Sequence, residues 1–140
     1  MPIRIHSHGK LLQKWLRYPR CDILEYDTQH QELLERMNAI NEMLAKGGDD
    51  QTILLLLARL TVHFAQHHQD EEQRMLASHY GRFSSHAEDH HQMQTDLLPG
   101  LVDAIRRGEP GVNFDPLIRW QASHITHFDK PMARYLLSRE

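Results

Sequence analysis

The feature that most constrains this chain is a spacing: His67 and Glu71 stand four residues apart, and so do His86 and His90. On a helix, residues at i and i+4 lie one above the other on the same face. Both pairs sit in segments whose apolar residues recur at three- and four-residue intervals, so these polar side chains belong to inward helix faces. Imidazoles and carboxylates on facing helices of a bundle are what holds a transition metal. A single buried histidine is more often a satisfied core residue, so the weight rests on finding the rest of a set.

The remaining segments supply helices for one. Thr28 and Gln31 have the spacing of a capping box, which predicts a first helix from Asp27 or Thr28 to Lys46, ended by Gly47-Gly48. Its apolar face is Leu33, Leu34, Met37, Ile40 and Leu44. Asp49 or Asp50 can cap a second helix that runs through Ile53, Leu57, Leu60, Phe64 and Met75 to about His79, with Gly81 past its end. Ser85 and Glu88 form another capping box, opening a third helix that reaches Arg107. Pro99 lies inside it and must kink or split it, having no N–H for the carbonyl one turn back. Asp115 as N-cap and Pro116 in the first turn open a fourth helix carrying Leu117, Trp120, His124 and Phe128. Pro131 then starts a short terminal helix ending near Leu137.

No segment alternates as a strand does. The expected fold class is all-α: an up-down-up-down antiparallel four-helix bundle over residues 27–140, with an N-terminal arm at 1–26 and a short C-terminal helix. Ile5, Leu12, Trp15 and Leu16 of the arm are expected to pack on the bundle, against a second reading of 10–18 as a membrane-surface or partner-binding helix.

Every expected helix offers an inward donor: His30 on the first, His67 and Glu71 on the second, His86 and His90 on the third, His124 and Asp129 on the fourth. Antiparallel order brings all of them to one end of the bundle. His124 and Asp129 are five apart, about 140° round an ideal helix. Pro131 removes the hydrogen bond to the His127 carbonyl, and the loosened helix end lets Asp129 turn inward.

Composition narrows the function. Histidine is in excess, and seven of the twelve lie between His63 and His91, which makes the excess local rather than general. A net charge of -3 argues neither for nucleic acid nor for an anionic membrane, and no nucleic-acid partner is expected. No run of about 18 apolar residues spans a membrane, and the apolar core of a secretory signal is missing. The single cysteine, Cys21, forms no internal disulfide. Together these features give cytoplasmic as the expected location. Oligomeric state is not legible.

The ordered motifs resemble those of the hemerythrin family, in its bacterial single-domain form, over about residues 25–137. They are Asp27-Thr28-Gln29-His30, His67-x-x-x-Glu71-Glu72-x-x-Met75, His86-x-x-x-His90 and Trp120-x-x-x-His124-Ile125-x-x-x-Asp129. The resemblance implies two iron ions with a bridging hydroxide or oxide. One iron would take His86, His90 and His124, the other His30 and His67, while Glu71 and Asp129 bridge both. One position stays open on the iron with two histidines, and dioxygen is the implied ligand there, bound reversibly for storage, delivery or sensing.

A ligand set rich in neutral nitrogen fits reversible binding, because it favours the ferrous pair. Carboxylate-rich di-iron oxidases use paired Glu-x-x-His motifs, and only Glu88-x-x-His91 has that form here. The alternative within the same fold is a di-iron enzyme acting on peroxide or nitric oxide at the open position. A structural zinc site is the third reading, weakened because such a site needs only four ligands.

Leu33, Trp120, His68 and Gln121 are the expected surroundings of the oxygen pocket. Two of them depart from the family: His68 stands where phenylalanine is usual, and Gln121 where leucine is usual. Lying three residues before Glu71 and His124, both can face the centre. Polar groups there are expected to speed autoxidation or to favour peroxide or nitric oxide chemistry, with His68 as a candidate proton donor. His63-Phe64 offers a rival register for the ligand, but four residues on from His63 stands His67 rather than a carboxylate. His6, His8, His79, His91 and His127 are expected to be solvent-exposed.

Overall fold

The computed structural model describes residues 18–139. The expectations for Ile5, Leu12, Trp15 and Leu16, for the 10–18 helix, and for His6 and His8 lie outside the described residues, apart from Tyr18 itself. Among the described residues every regular element is helical. Helix α1 is Leu24–Lys46 and α2 is Asp50–Ala77. Helix α3 is continuous but built of three pieces, α-helical Phe83–Gln92, a π-helical turn Met93–Leu97 and α-helical Leu98–Arg106. Helix α4 repeats that plan, with Asp115–His124, a π-helical turn Ile125–Asp129 and Lys130–Ser138. None of these helices is long and apolar enough to cross a membrane.

Helix ends show where local chemistry differed from the sequence reading. Helix α1 starts before Thr28, whose hydroxyl donates to the Leu24 carbonyl instead of capping. The organising residue is Asp27: its carboxylate accepts the backbone N–H groups of Cys21 (2.8 Å) and Asp22 (3.1 Å), tying the lead-in to the first turn. Gly47 closes α1 in the left-handed region (φ 67°), with the Gly48 N–H on the Met43 carbonyl at 2.8 Å, as in a Schellman ending. Asp49 caps α2 through the Thr52 N–H. At the other end His79 (φ 55°), not Gly81, takes the left-handed turn. The Ser85 box does not form, since that hydroxyl donates to the Arg82 carbonyl. Asp115 is the first residue of α4 rather than its cap. The N–H groups there go to Asn41 Oδ1 (from Phe114, 2.6 Å) and Asn113 Oδ1 (from Asp115, 2.9 Å).

Both interior prolines are accommodated without a break. Pro99 cannot donate to the Thr95 carbonyl, and Pro131 cannot donate to that of His127. In each helix the ladder widens first: the Leu98 N–H bonds the Met93 carbonyl and the Lys130 N–H bonds the Ile125 carbonyl, each an i to i−5 bond. The expected separate terminal helix is therefore the continuation of α4.

Apolar packing is interrupted by one polar layer. All four helices feed a cluster that includes Leu33, Met37, Ile40, Ile53, Leu57, Leu60, Phe64, Met93, Leu98, Phe114 and Leu117. A second cluster joins Cys21, Ile23 and Tyr26 to Met75, Met132, Ala133 and Leu136. On every helix the candidate donors fall in sequence between residues of the two clusters, or between a cluster residue and Phe83, which packs on the second. Burying these residues removes apolar surface from water at about 25 cal/mol per Å², and the polar layer between them is buried with them.

Candidate metal centre

The seven expected donors, His30, His67, Glu71, His86, His90, His124 and Asp129, are at most 5% exposed, and their ring nitrogens and carboxylate oxygens converge. They form two groups. In the first, Glu71 Oε2 lies 2.8 Å from His67 Nε2 and 3.7 Å from His30 Nε2, and Asp129 Oδ2 lies 3.1 Å from His30 Nε2. In the second, Glu71 Oε1 lies 3.2 Å from His86 Nε2 and 3.3 Å from His90 Nε2, and Asp129 Oδ1 lies 3.1 Å from both His86 and His124 Nε2. Each carboxylate thus turns one oxygen to each group. The π-helical turn of α4 brings His124 and Asp129, five residues apart, onto the same face one turn from each other.

Three of the five imidazoles are oriented from behind. His124 Nδ1 is 2.7 Å from Asp89 Oδ2, His90 Nδ1 is 2.8 Å from Glu72 Oε2, and His67 Nδ1 meets the Gln29 carbonyl oxygen. A partner on Nδ1 fixes the ring and leaves Nε2 free as a ligand, the usual support of a metal-binding histidine. Asp89, Glu72 and Gln29 were not assigned this role from the sequence. Their signal there is adjacency, since each flanks a donor in the chain.

Polar satisfaction within the layer is incomplete. Among the described residues Glu71 Oε2 and both Asp129 oxygens have no hydrogen bond, because the imidazoles beside them are out of line. Buried carboxylate oxygens without partners are costly, and a cation between them and the nitrogens is the partner that fits. Distances support this. His90 Nε2 and His86 Nε2 lie 3.0 and 3.1 Å from His124 Nε2. Adjacent ligands on an octahedron with bonds of about 2.1 Å are separated by about 3.0 Å, whereas a tetrahedron would need about 3.4 Å.

Electrostatics point the same way. Burial alone pushes His30 down, but the nearby oxygens of Asp129 and Glu71 outweigh it and hold this imidazole at about 9. His124, also opposed by burial, is raised to about 10 by Asp129, Asp89 and Glu71. Burial pushes Glu71 and Asp129 up, yet the surrounding imidazoles keep both well below the usual carboxylate range. The site is a mould for positive charge.

The expected surroundings fall in different places. His68 lies flat on His90, with ring centres 3.8 Å apart and planes 8° apart, and its Nδ1 accepts from the Gln94 amide at 2.8 Å. Burial keeps it neutral, helped by the charges of His90 and His67. Trp120 stacks on His124 at 4.8 Å and meets His68 edge-on. Leu33 is core and shares a cleft with His67. Gln121 is buried, its Oε1 accepting from the Tyr18 hydroxyl at 2.7 Å while its Nε2 has no partner among the described residues. His63, His79, His91 and His127 are exposed.

The family model described as the hemerythrin HHE cation-binding domain matches residues 22–136. No curated protein and no solved structure matches the chain.

Proposed function

The chain belongs to the hemerythrin family, and we propose that its seven converging side chains hold two iron ions, sharing a bridging hydroxide or oxide, at which dioxygen binds reversibly. The observation that carries this reading is the division of each carboxylate, one oxygen of Glu71 and one of Asp129 to either imidazole group. A pair of bridging carboxylates serves two ions, and the separations of about 3.0 Å between nitrogens fit octahedral ions better than tetrahedral zinc. In this reading the helices follow the up-down-up-down order, which puts His30 and His86 early in α1 and α3 level with His67 late in α2.

When bound, a ferrous pair supplies the two electrons that dioxygen takes up and gives back. The protein's part is to hold that pair ferrous between cycles. Five neutral imidazoles and only two carboxylates leave the ions electron-poor, which opposes oxidation. Asp89 and Glu72 draw on the N–H protons of His124 and His90 and make those rings stronger donors, while His67 leans on a neutral amide. The group of His30, His67, Glu71 and Asp129 offers four donors against five in the other, so an ion held there would have the room for dioxygen. His30 and His67 are themselves buried, which limits the access of bulk water to this group.

A second reading is turnover of peroxide or nitric oxide at the same open position, with Gln121, buried and with its amide nitrogen unpartnered among the described residues, as the polar group that would serve it. Metal analysis with an optical spectrum of the anaerobic protein, before and after air, tests both. Reversible binding requires two irons per chain and a visible band that appears in air and disappears under argon. Loss of the band without recovery would leave the enzyme reading, and a colourless protein containing zinc would overturn both.

A further inference from the structure

The centre is sealed, and the cation has to reach it. Of the seven donors the most exposed is His67, at 5%. His67 also lines a cleft of about 210 Å³ between α1 and α2, whose wall includes Gln29, Glu32, Arg36, His63 and Asp70. The His67 ring spans from that cleft to the centre. Its Nδ1 faces Gln29, a cleft residue, and its Nε2 lies 2.8 Å from Glu71 Oε2, a fully buried oxygen without a hydrogen bond among the described residues.

The lining tells what the cleft admits. Dioxygen and nitric oxide are neutral and weakly polar, and gain nothing from charged walls. Two carboxylates, Glu32 and Asp70, line the cleft with one guanidinium, Arg36, so the cleft is negative on balance when His63 is neutral. Carboxylate oxygens with an imidazole are donors suited to divalent first-row metals. We propose that this cleft is the loading port of the centre, in which Glu32, Asp70 and His63 collect a hydrated divalent cation and His67, by releasing Gln29, passes it to Glu71. The proposal rests on reading the seven buried side chains as a metal centre, and it adds a site that is not part of that set.

The test is the rate at which metal-free protein takes up Co²⁺, followed by visible absorption as the ion enters nitrogen and oxygen coordination. Glu32→Gln/Asp70→Asn is expected to load about tenfold more slowly at low ionic strength, as loss of electrostatic focusing predicts. Arg36→Gln is expected to load faster, and both differences should shrink at 1 M salt, where the screening length is about 3 Å. Final occupancy stays unchanged in all of them, with circular dichroism confirming the fold. Loading rates within twofold of the parent chain at low salt would overturn the port. So would reduced final occupancy, since the residues would then be holding the metal rather than passing it. Altered azide binding by the iron-loaded variants, with Co²⁺ loading unaffected, would reassign the cleft to exogenous ligands. Failure of the parent chain to take up Co²⁺ at all would remove the metal centre itself, and the port with it.

Discussion

Removing the metal should convert this protein from one whose stability is insensitive to mildly alkaline pH into one that weakens steadily above neutrality. The reason lies in what replaces the cation. In the metal-free centre His30 is raised from its ordinary 6.5 to about 9, and His124 to about 10, against the opposing effect of burial. A folded-state value above the unfolded one means that folding binds the proton, so the contribution is complete below pH 6.5 and is lost as pH climbs to the folded value. For His30 that rise is worth about 3 kcal/mol at about 1.4 kcal/mol per unit. His124 shares Asp129 with His30, so the two contributions are not additive. At the acid side Glu71 and Asp129, held low, stabilise the protein above the usual carboxylate range and lose that effect as pH falls. Urea unfolding of metal-free protein should therefore give a free energy about 3 kcal/mol lower at pH 9.5 than at pH 6, with no comparable fall in the loaded protein. Loading at pH 7 should also release at least the protons of His30 and His124, read with an indicator dye in weak buffer. A metal-free stability that is flat or rising from pH 6.5 to 9.5, or loading without proton release, would refute the reasoning.

Three further perturbations separate the layers of the structure. Asp89→Asn, which takes the carboxylate from His124 Nδ1 (2.7 Å), should weaken metal affinity about 10- to 100-fold in chelator competition while leaving the helical signal intact. Gln121→Leu should slow autoxidation of the oxygenated protein, because it removes a buried polar group whose amide nitrogen has no partner among the described residues; an unchanged or faster rate would count against a polar pocket. Asn41→Ala leaves the Phe114 N–H without its acceptor at the start of α4 and should cost about 1 kcal/mol in urea unfolding, with no effect on metal binding.

The periodic parts of this chain were readable because their causes are local. Leu33, Leu34, Met37 and Ile40 are buried on α1 as their spacing requires, and the four-residue spacing of His67 with Glu71 and of His86 with His90 brings those side chains to one place. Caps were less readable, since several residues can serve the same orphan N–H. Thr28 and Ser85 had the right neighbours for capping boxes but bonded backwards to carbonyls, and Asp27 served the lead-in instead. The supporting contacts around the donors were not readable: Asp89 behind His124, Gln94 behind His68 and Tyr18 behind Gln121 depend on which faces meet. His68 shows the cost most clearly. Helix geometry let it face the centre but could not show that its ring lies against His90 with Gln94 on Nδ1.

The two π-helical turns show how a proline can position chemistry rather than merely end a helix. Met93–Leu97 precedes Pro99 and Ile125–Asp129 precedes Pro131 at the same interval, the proline two residues beyond the last residue of the turn. In each case the residue before the proline donates five residues back, so the helix has absorbed one extra residue by the time the missing N–H is reached. Loosening at Pro131 was the reason expected for the inward turn of Asp129, and the helix in fact stays closed and widens. The distinction matters for function. A frayed end would leave Asp129 mobile, whereas a closed π-helical turn fixes it one turn from His124 with its oxygens divided between His30 on one side and His86 and His124 on the other. A pair of donors at i and i+5, followed two residues later by proline, is thus a spacing with a physical meaning. It marks a place where a helix spends one residue of register to align two side chains.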